Sequence, residues 1–193
     1  MRFRSVTDCR KVISMPAILL RLVAGLAVWS VVTSALLAQG PTQSEPDRLL
    51  QQMVGRWVMS GTIAKKAVTH DVDVDWLLKR QYIRLHEVSR EQGVDGAAGY
   101  EAWIFIAWDA KASEFAVLWL DNTETTNFAP EGIGHAKLDG DKIPFVWKLA
   151  DGSGIHTTFA YDRVTDSWSW TIQNVDRSAT ESPFASLTLV RKK

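Results

Sequence analysis

Apolar and polar residues alternate along most of the chain, and the period of the alternation changes near residue 55. Before that point Leu49, Leu50 and Met53 have helical spacing, which predicts a short amphipathic helix over 47–54 with Asp47 as its cap. After it the period is two, which predicts strands that end at turn residues. The predicted strands cover residues 57–63, 68–77, 81–90, 100–108, 114–121, 132–138, 142–149, 154–161, 167–174 and 184–191.

The apolar positions of several strands fall on one face. Val72 and Val74 alternate with aspartates, and Trp168 and Trp170 alternate with serines. Such alternation is typical of a strand with one buried face and one face in water.

The connections between the predicted strands are short, and Asp139-Gly140 has the sequence of a two-residue hairpin turn. Consecutive short strands with tight turns favour antiparallel up-and-down pairing. About ten such strands close most naturally into a barrel, because closure removes the exposed edges. We therefore predict an all-β fold, an antiparallel up-and-down barrel preceded by a short helix.

Residues 1–38 have the pattern of an export signal. Basic residues are frequent up to Lys11, and an apolar run interrupted by Arg21 continues to Ala38. A basic segment, an apolar segment and small residues near the end are typical of a secretory signal peptide. We expect a periplasmic or secreted protein, with residues 39–46 as a flexible lead-in and 47–193 as the barrel domain.

Two alternatives for this segment stay open. Because Arg21 interrupts the apolar run, translation from Met15 would give a more regular signal. The uncharged stretch 22–38 is at the short end for a spanning helix, so it also fits an uncleaved anchor. Membrane contact is expected only through an uncleaved signal.

Removal of the signal changes the charge balance and the cysteine count. The full chain has 22 basic and 22 acidic residues, whereas residues 39–193 have 17 basic and 21 acidic ones. Proteins that bind nucleic acid usually have a basic excess, so this class is excluded. Cys9, the one cysteine, precedes the predicted cleavage site, and the mature chain has no thiol for a disulfide or a metal.

Gly55-Arg56-Trp57, at the start of the first predicted strand, resembles the G-x-W motif of lipocalins and other calycins. In those folds the tryptophan closes the barrel floor, and an arginine near the end of the last strand packs across it. Arg191 has the corresponding position. The resemblance implies structural roles for Gly55, Trp57 and Arg191, with the cation over the indole face.

The chain also resembles a group of uncharacterised bacterial exported lipocalin-like proteins. The matching stretches are 82–88, 100–102, 118–121 and 156–161. More distantly, a barrel of ten strands is similar to the haem-binding nitrobindins, although the first strand here has one glycine where that group is glycine-rich. We predict no cofactor, and the resemblance implies a calycin-type barrel but little about activity, because a fold does not determine a function.

The third predicted strand is the most charged. Alternation places Arg84 and His86 on one face and Glu87 on the other, so either face brings charge near the interior. Because a buried charge is costly unless it is paired, we expect Arg84, His86, Glu101 and Asp121 to form a polar cluster at one end of the cavity. A surface ladder of cross-strand ion pairs is an equally supported alternative.

The mature chain has four histidines, His70, His86, His135 and His156. None has a second histidine at ligand spacing, so we predict no metal site. His70 shares a face with Val72 and is a candidate to line the cavity, although a histidine hydrogen-bonded near a barrel rim is the more frequent case.

Eight of the nine tryptophans lie beyond residue 38. This aromatic content suits a filled core or an apolar pocket, and ten strands enclose more space than side chains readily fill. We hypothesise that the barrel binds a small hydrophobic or amphipathic molecule. The candidate binding residues, all placed near the expected cavity, are Arg84, His86, Glu101, Trp103, Trp119, Asp121, His156 and Trp170.

The sequence contains no nucleophile, metalloprotease, phosphate-binding or dinucleotide motif. A hydrolase or isomerase is one alternative, and it would require His86, Glu101 and Asp121 to converge in one cavity. A non-catalytic envelope protein that acts through its surface or as an oligomer is another.

Overall fold

The computed structural model describes residues 43–123 and 132–193. Within them one helix precedes ten strands that form a closed antiparallel barrel, which confirms the predicted fold class. Going around the barrel, the order is β1-β10-β9-β8-β7-β6-β5-β4-β3-β2, and β2 pairs with β1. The predicted signal peptide and residues 39–42 of the predicted lead-in lie outside the described residues.

The elements follow in chain order. They are α1 (Glu45–Met53), β1 (Gly55–Ile63), β2 (Lys66–Leu77), β3 (Tyr82–Ser89), β4 (Glu101–Asp109), β5 (Glu114–Asp121), β6 (Ile133–Ala136), β7 (Lys142–Lys148), β8 (Gly154–Asp162), β9 (Ser167–Val175) and β10 (Glu181–Arg191). No helix in these described ranges is long and apolar enough to cross a membrane.

Helix α1 begins two residues earlier than the sequence pattern predicts. The predicted cap Asp47 is wrong: Ser44 is the N-cap, and its Oγ accepts the Asp47 backbone N–H at 3.2 Å. Pro46 lies in the first turn, where its missing N–H costs nothing and its fixed φ suits the helix. The predicted apolar face is confirmed, because Leu49, Leu50 and Met53 are buried.

The hairpin between β6 and β7 has two residues, as predicted, but is shifted by one position. Asp139 and Lys142 form the closing pair with reciprocal backbone hydrogen bonds, so the turn residues are Gly140 and Asp141. Gly140 has φ +56°, which glycine adopts more readily than other residues. The turn therefore places its glycine first.

The inward faces of the strands agree with the alternation in the sequence. Val72 and Val74 are buried while Asp73 between them is exposed. Trp168 and Trp170 are likewise buried. The interior also contains a series of neighbouring phenylalanine rings, namely Phe115, Phe145 and Phe159.

One end of the barrel, the proximal end, is closed by α1. Trp57 Nε1 donates to the Met53 carbonyl oxygen at 2.7 Å, and Trp76 Nε1 donates to Gln51 Oε1 at 2.9 Å. A helix C-terminus leaves carbonyl oxygens without intrahelical donors. The Trp57 indole supplies one of the missing donors, and the Trp76 indole binds a side chain of α1, so both attach the helix to the barrel.

Arg191, the last residue of β10, supplies two further donors to this end of the helix. Its guanidinium lies 4.2 Å from the Trp57 ring centroid and donates to the carbonyl oxygens of Gln52 and Val54, each at 3.0 Å. Its Nε donates to Asp166 Oδ2 at 2.5 Å. The expected packing of Arg191 across Trp57 is confirmed.

The same contact explains the glycine of the G-x-W motif. Gly55 has φ +135°, and a Cβ at this position would lie 2.7 Å from Arg191 Nη1. Only glycine combines this backbone conformation with the space that the guanidinium occupies. Gly55, Trp57 and Arg191 therefore form one structural unit.

Replacing Arg191 with alanine would remove the cation over Trp57 and leave the Gln52 and Val54 carbonyl oxygens without this donor. We expect Arg191→Ala to lower the free energy of unfolding by about 2–4 kcal/mol, from lost charged hydrogen bonds and the cation–π contact. Urea unfolding followed by tryptophan fluorescence measures the loss.

Arg163→Ala is the matched control. Arg163 is also paired with an aspartate, Asp141, but its side chain is 75 % exposed. An exposed pair contributes at most about 1 kcal/mol. Equal losses in the two variants would contradict the role assigned to Arg191.

Candidate functional site

The burial pattern of β3 shows which of its faces is inside. Ile83, Leu85 and Glu87 are buried in the barrel, whereas Arg84 and His86 lie on the outer face. Burial of two large aliphatic side chains favours this arrangement, and it brings Glu87 into the interior as well.

Four of the predicted binding residues form a cluster on the outer surface of β3 and β4, the outer cluster (Arg84, His86, Glu101 and Trp103). The His86 ring stacks on Trp103 with centroids 3.8 Å apart, and His86 Nε2 lies 2.6 Å from Glu101 Oε1. The Arg84 guanidinium lies 4.9 Å from the Trp103 ring centroid. These residues do not line the interior, which corrects the expected cavity cluster in favour of the surface ladder.

The other four predicted residues divide between the two faces. His156 lies on the outer face of β8, with its Nδ1 2.7 Å from Glu181 Oε1. Trp119 and Asp121 share the inward face of β5 with buried Val117, and Trp170 is buried on β9. Because His86 and Glu101 point away from Asp121, the convergence that the enzyme hypothesis requires is absent.

A different set of polar residues lies inside the barrel, at the end opposite α1, which we call the distal end. We call this set the inner cluster; its members are His70, Glu87, Tyr100, Trp119 and Asp121. They come from β2, β3, the residue before β4, and β5. The members span residues 70–121 of the chain, and the pairing of adjacent strands brings them together.

His70 and Glu87 are the most buried members of the inner cluster. His70 pairs in register with Ser89 and Glu87 with Val72, so the two side chains are diagonal neighbours on one face. His70 Nδ1 lies 2.5 Å from Glu87 Oε1, and the residues are 4 % and 1 % exposed. The sequence left His70 either lining the cavity or hydrogen-bonded near the barrel rim. In the structure its side chain points inward and is also hydrogen-bonded, to Glu87.

Tyr100 connects this pair to β5. Its ring stacks on His70 with centroids 5.7 Å apart, and its hydroxyl accepts from Trp119 Nε1 at 3.2 Å. The hydroxyl also donates to Asp121 Oδ2, at a long 3.4 Å. The inner cluster is therefore a continuous chain of contacts from β2 to β5.

The electrostatics of the inner cluster are set by burial. Loss of hydration raises the pKa of the Glu87 carboxyl; the contact with His70 opposes this shift, and the Asp121 carboxylate adds to it. Burial also raises the pKa of Tyr100, and the carboxylates of Glu87 and Asp121 act in the same direction. Burial therefore disfavours ionisation of both Glu87 and Tyr100 in the folded protein.

Two buried polar atoms in the interior have no hydrogen-bond partner among the described residues. They are Glu87 Oε2 and Trp170 Nε1. Trp170 contacts the inner cluster, because its ring centroid is 5.3 Å from that of Trp119. An unsatisfied buried polar group costs about 1–3 kcal/mol, so each such atom requires an explanation.

The space around these atoms is occupied mainly by aromatic rings. The Trp170 ring lies 4.5 Å from Phe159 and 5.3 Å from Trp119, between centroids. Two clefts, of about 360 and 200 Å³, lie elsewhere, beside α1 and on the outer face of β7–β9, and neither is lined by the inner cluster. We place the candidate site at the inner cluster, because the clefts contain no buried charged or unpartnered group.

In residues 43–123 and 132–193, no three side chains of histidine, cysteine, aspartate or glutamate are grouped to hold a metal ion. His70 and Glu87 bind each other, so the inner cluster is organised by hydrogen bonds.

No protein-family model matches this chain, and no curated protein is significantly similar to it in sequence. Among solved structures, the chain is similar to Rv2717c from M. tuberculosis, with 13 % identity and a TM-score of 0.50 over 78 % of this chain and 99 % of that one. A weaker likeness, with 9 % identity and a TM-score of 0.24, is to a protein of unknown function from the DUF3598 family of Nostoc punctiforme, over 79 % of this chain and 100 % of that one. The likeness to Rv2717c supports the barrel fold alone.

Sequence reasoning missed Tyr100 and left Glu87 as one of two alternatives. Glu87 lies on the same face of its strand as the aliphatic residues Ile83 and Leu85. This alternation in the sequence was the signal that could have placed Glu87 inside the barrel. Tyr100 opens the predicted strand 100–108 and has the parity of Ala102 and Ile104, which are buried, so alternation was the signal that could have identified it.

The raised pKa of Glu87 predicts how stability depends on pH. The folded protein holds the Glu87 proton more tightly than the unfolded chain does, where the ordinary value is 4.5. The contribution of this group is therefore fully present below that value and is lost as pH rises through the raised pKa. We expect the stability of Glu87→Gln, relative to that of the unmodified protein, to increase with pH between pH 4.5 and pH 8; urea unfolding across this range measures it.

Glu101→Gln is the control, because it removes the same charge from a histidine-paired glutamate on the outer face. Its relative stability should change less with pH than that of Glu87→Gln. If the two variants have parallel pH profiles, burial of Glu87 is not the cause.

Proposed function

We propose that the protein binds a small amphipathic molecule at the distal end of the barrel, with its polar group against the inner cluster and its apolar part against the tryptophans. The observation that carries this proposal is the presence of unpartnered polar atoms, Glu87 Oε2 and Trp170 Nε1, within an aromatic interior. A ligand that supplies their hydrogen bonds would remove the cost of leaving them unsatisfied.

The lining of this region fits such a ligand. Binding sites for small molecules are mostly apolar and have a few placed polar groups. Trp119 and Trp170 provide adjoining aromatic surfaces, while His70, Glu87 and Asp121 provide the polar groups. Trp119 and Asp121 are half-buried, so the distal side of the cluster is in contact with solvent.

We also propose that the barrel is a calycin-type barrel, related to exported lipocalin-like proteins. Its support is the unit formed by Gly55, Trp57 and Arg191, in which the arginine packs across the tryptophan at the proximal end. In this arrangement the proximal end stabilises the fold, and the ligand binds at the distal end.

Binding can be tested with 1-octanol, octylamine and octanoate as probes, by isothermal titration of protein purified from cells that express the full chain. We expect at least one probe to bind saturably. Trp119→Ala should lower the affinity for the tightest-binding probe about 10-fold, because a lost apolar contact of about 1.4 kcal/mol corresponds to that factor.

Trp103→Ala is the matched control for Trp119→Ala. Trp103 is also a half-buried tryptophan, but it lies on the outer face beneath His86. The Trp103→Ala variant should bind the probes with unchanged affinity. If Trp119→Ala does not fold, Trp119→Leu takes its place. Absence of binding by all three probes, or equal weakening in both variants, would refute the proposed site.

We further propose that the protein is exported and that its signal is removed. The support is the basic segment, the apolar segment and the small residues that end at Ala38. The intact mass of protein from a periplasmic extract or culture medium should correspond to a chain that begins at Gln39, or at Leu36 if cleavage follows the small pair Thr33 and Ala35. A membrane-bound protein with the mass of the chain from Met1 or Met15 would show an uncleaved anchor instead.

A further inference from the structure

We propose that the polar group of the ligand is a cationic nitrogen, such as a primary ammonium, held by the carboxylates of Glu87 and Asp121. This inference rests on the proposed function and specifies the chemical class that the inner cluster recognises. It is carried by the arrangement of acceptors, charges and aromatic faces around Glu87.

The hydrogen-bonding capacity next to Glu87 consists mainly of acceptors. Glu87 Oε2 is buried, 1 % of the residue is exposed, and no described residue donates to it. Asp121 Oδ1 accepts from the Thr123 backbone N–H and hydroxyl, whereas Asp121 Oδ2 receives, within the part of the chain that the structure describes, only the long bond from the Tyr100 hydroxyl, at 3.4 Å. A ligand group with several N–H donors would satisfy both oxygens. A carboxylate or carbonyl would accept from the one unpartnered donor of the described interior, Trp170 Nε1, but would leave the Glu87 and Asp121 oxygens without further donors.

The charge of the inner cluster also favours a cationic ligand. The titratable groups that face Glu87 from the elements around it are His70 on β2, Tyr100 before β4 and Asp121 on β5. Two carboxylates face one histidine, so the ionised cluster is negative whether or not His70 carries a proton. The nearest arginines along these strands, Arg84 and Arg90, pair with aspartates on the outer face.

The aromatic faces also suit a cation. Tyr100 and Trp119 belong to the cluster, joined by the hydrogen bond from Trp119 Nε1 to the Tyr100 hydroxyl at 3.2 Å. Ring faces attract a cation, and this attraction is larger when the site is shielded from water. An ammonium group beside Glu87 would therefore meet both carboxylates and ring faces.

The same arrangement gives a reason for a buried carboxylate that costs stability. Without a cation, the ionised form of Glu87 is disfavoured by burial and by Asp121. A bound ammonium would favour the ionised form, so its binding is coupled to loss of the Glu87 proton and lowers the cost of keeping this carboxylate buried. A neutral alcohol or an anion would not favour the ionised form.

The test compares the three probes of equal chain length, octylamine, 1-octanol and octanoate, on protein purified from cells that express the full chain. We expect octylamine to bind at least 10-fold more tightly than the other two. Glu87→Gln should remove the preference for octylamine over 1-octanol, because the amide carries no negative charge. Asp121→Asn should reduce the preference several-fold, and it remains available if Glu87→Gln does not fold.

Glu101→Gln is the control for general charge effects, because it removes one negative charge from a histidine–glutamate pair on the outside of the same sheet. It should keep the full preference for octylamine. Equal or tighter binding of octanoate or 1-octanol would overturn the inference and leave the proposed function standing. A preference that persists in both Glu87→Gln and Asp121→Asn would also overturn it, whereas absence of binding by all three probes would refute the proposed function itself.

Discussion

Closure of the barrel by the pairing of its first and last strands is the constraint on which the other features depend. The register between β1 and β10 runs from Trp57 opposite Arg191 to Ile63 opposite Ala185. It leaves no strand edge unpaired in the sheet order and defines an inside for the alternating side chains. Because Arg191 also binds the C-terminal end of α1, the same contact that closes the sheet covers its proximal end.

Inside the barrel, the two ends differ in how completely their polar groups are satisfied; the unpartnered Asp75 Oδ1 and Arg84 Nε belong to an ion pair on the outer face. At the proximal end, the carbonyl oxygens of the helix terminus receive donors from Trp57 and Arg191. At the distal end, the interior contains a carboxylate with one oxygen unpartnered among the described residues, Glu87. Stable cores avoid such atoms, whereas binding sites retain them for the ligand. This difference is why we assign structure to one end and binding to the other.

Two histidine–glutamate pairs show how much the environment determines the chemistry of the same residue types. His86 and Glu101 lie on the outer face with a contact of 2.6 Å, and His70 and Glu87 lie inside with one of 2.5 Å. Outside, both side chains are partly in water, so the pair adds little beyond its packing on Trp103. Inside, burial raises the pKa of Glu87 and makes its ionisation sensitive to any cation that enters.

The sequence by itself determined the architecture, because the evidence for it is local. A period of two and turn residues predicted ten antiparallel strands and the buried faces of β2 and β9, while the resemblance of Gly55-Arg56-Trp57 to a calycin motif implied the contact of Arg191 with Trp57. Local patterns were less accurate where alternatives differ by one or two residues, as at the start of α1. The site was decided by the tertiary structure: alternation allowed either face of β3 to point inward, and packing of its aliphatic side chains selected the one with Glu87. Only the register of neighbouring strands then brought His70 and Asp121 to Glu87, and no spacing along the chain records that proximity.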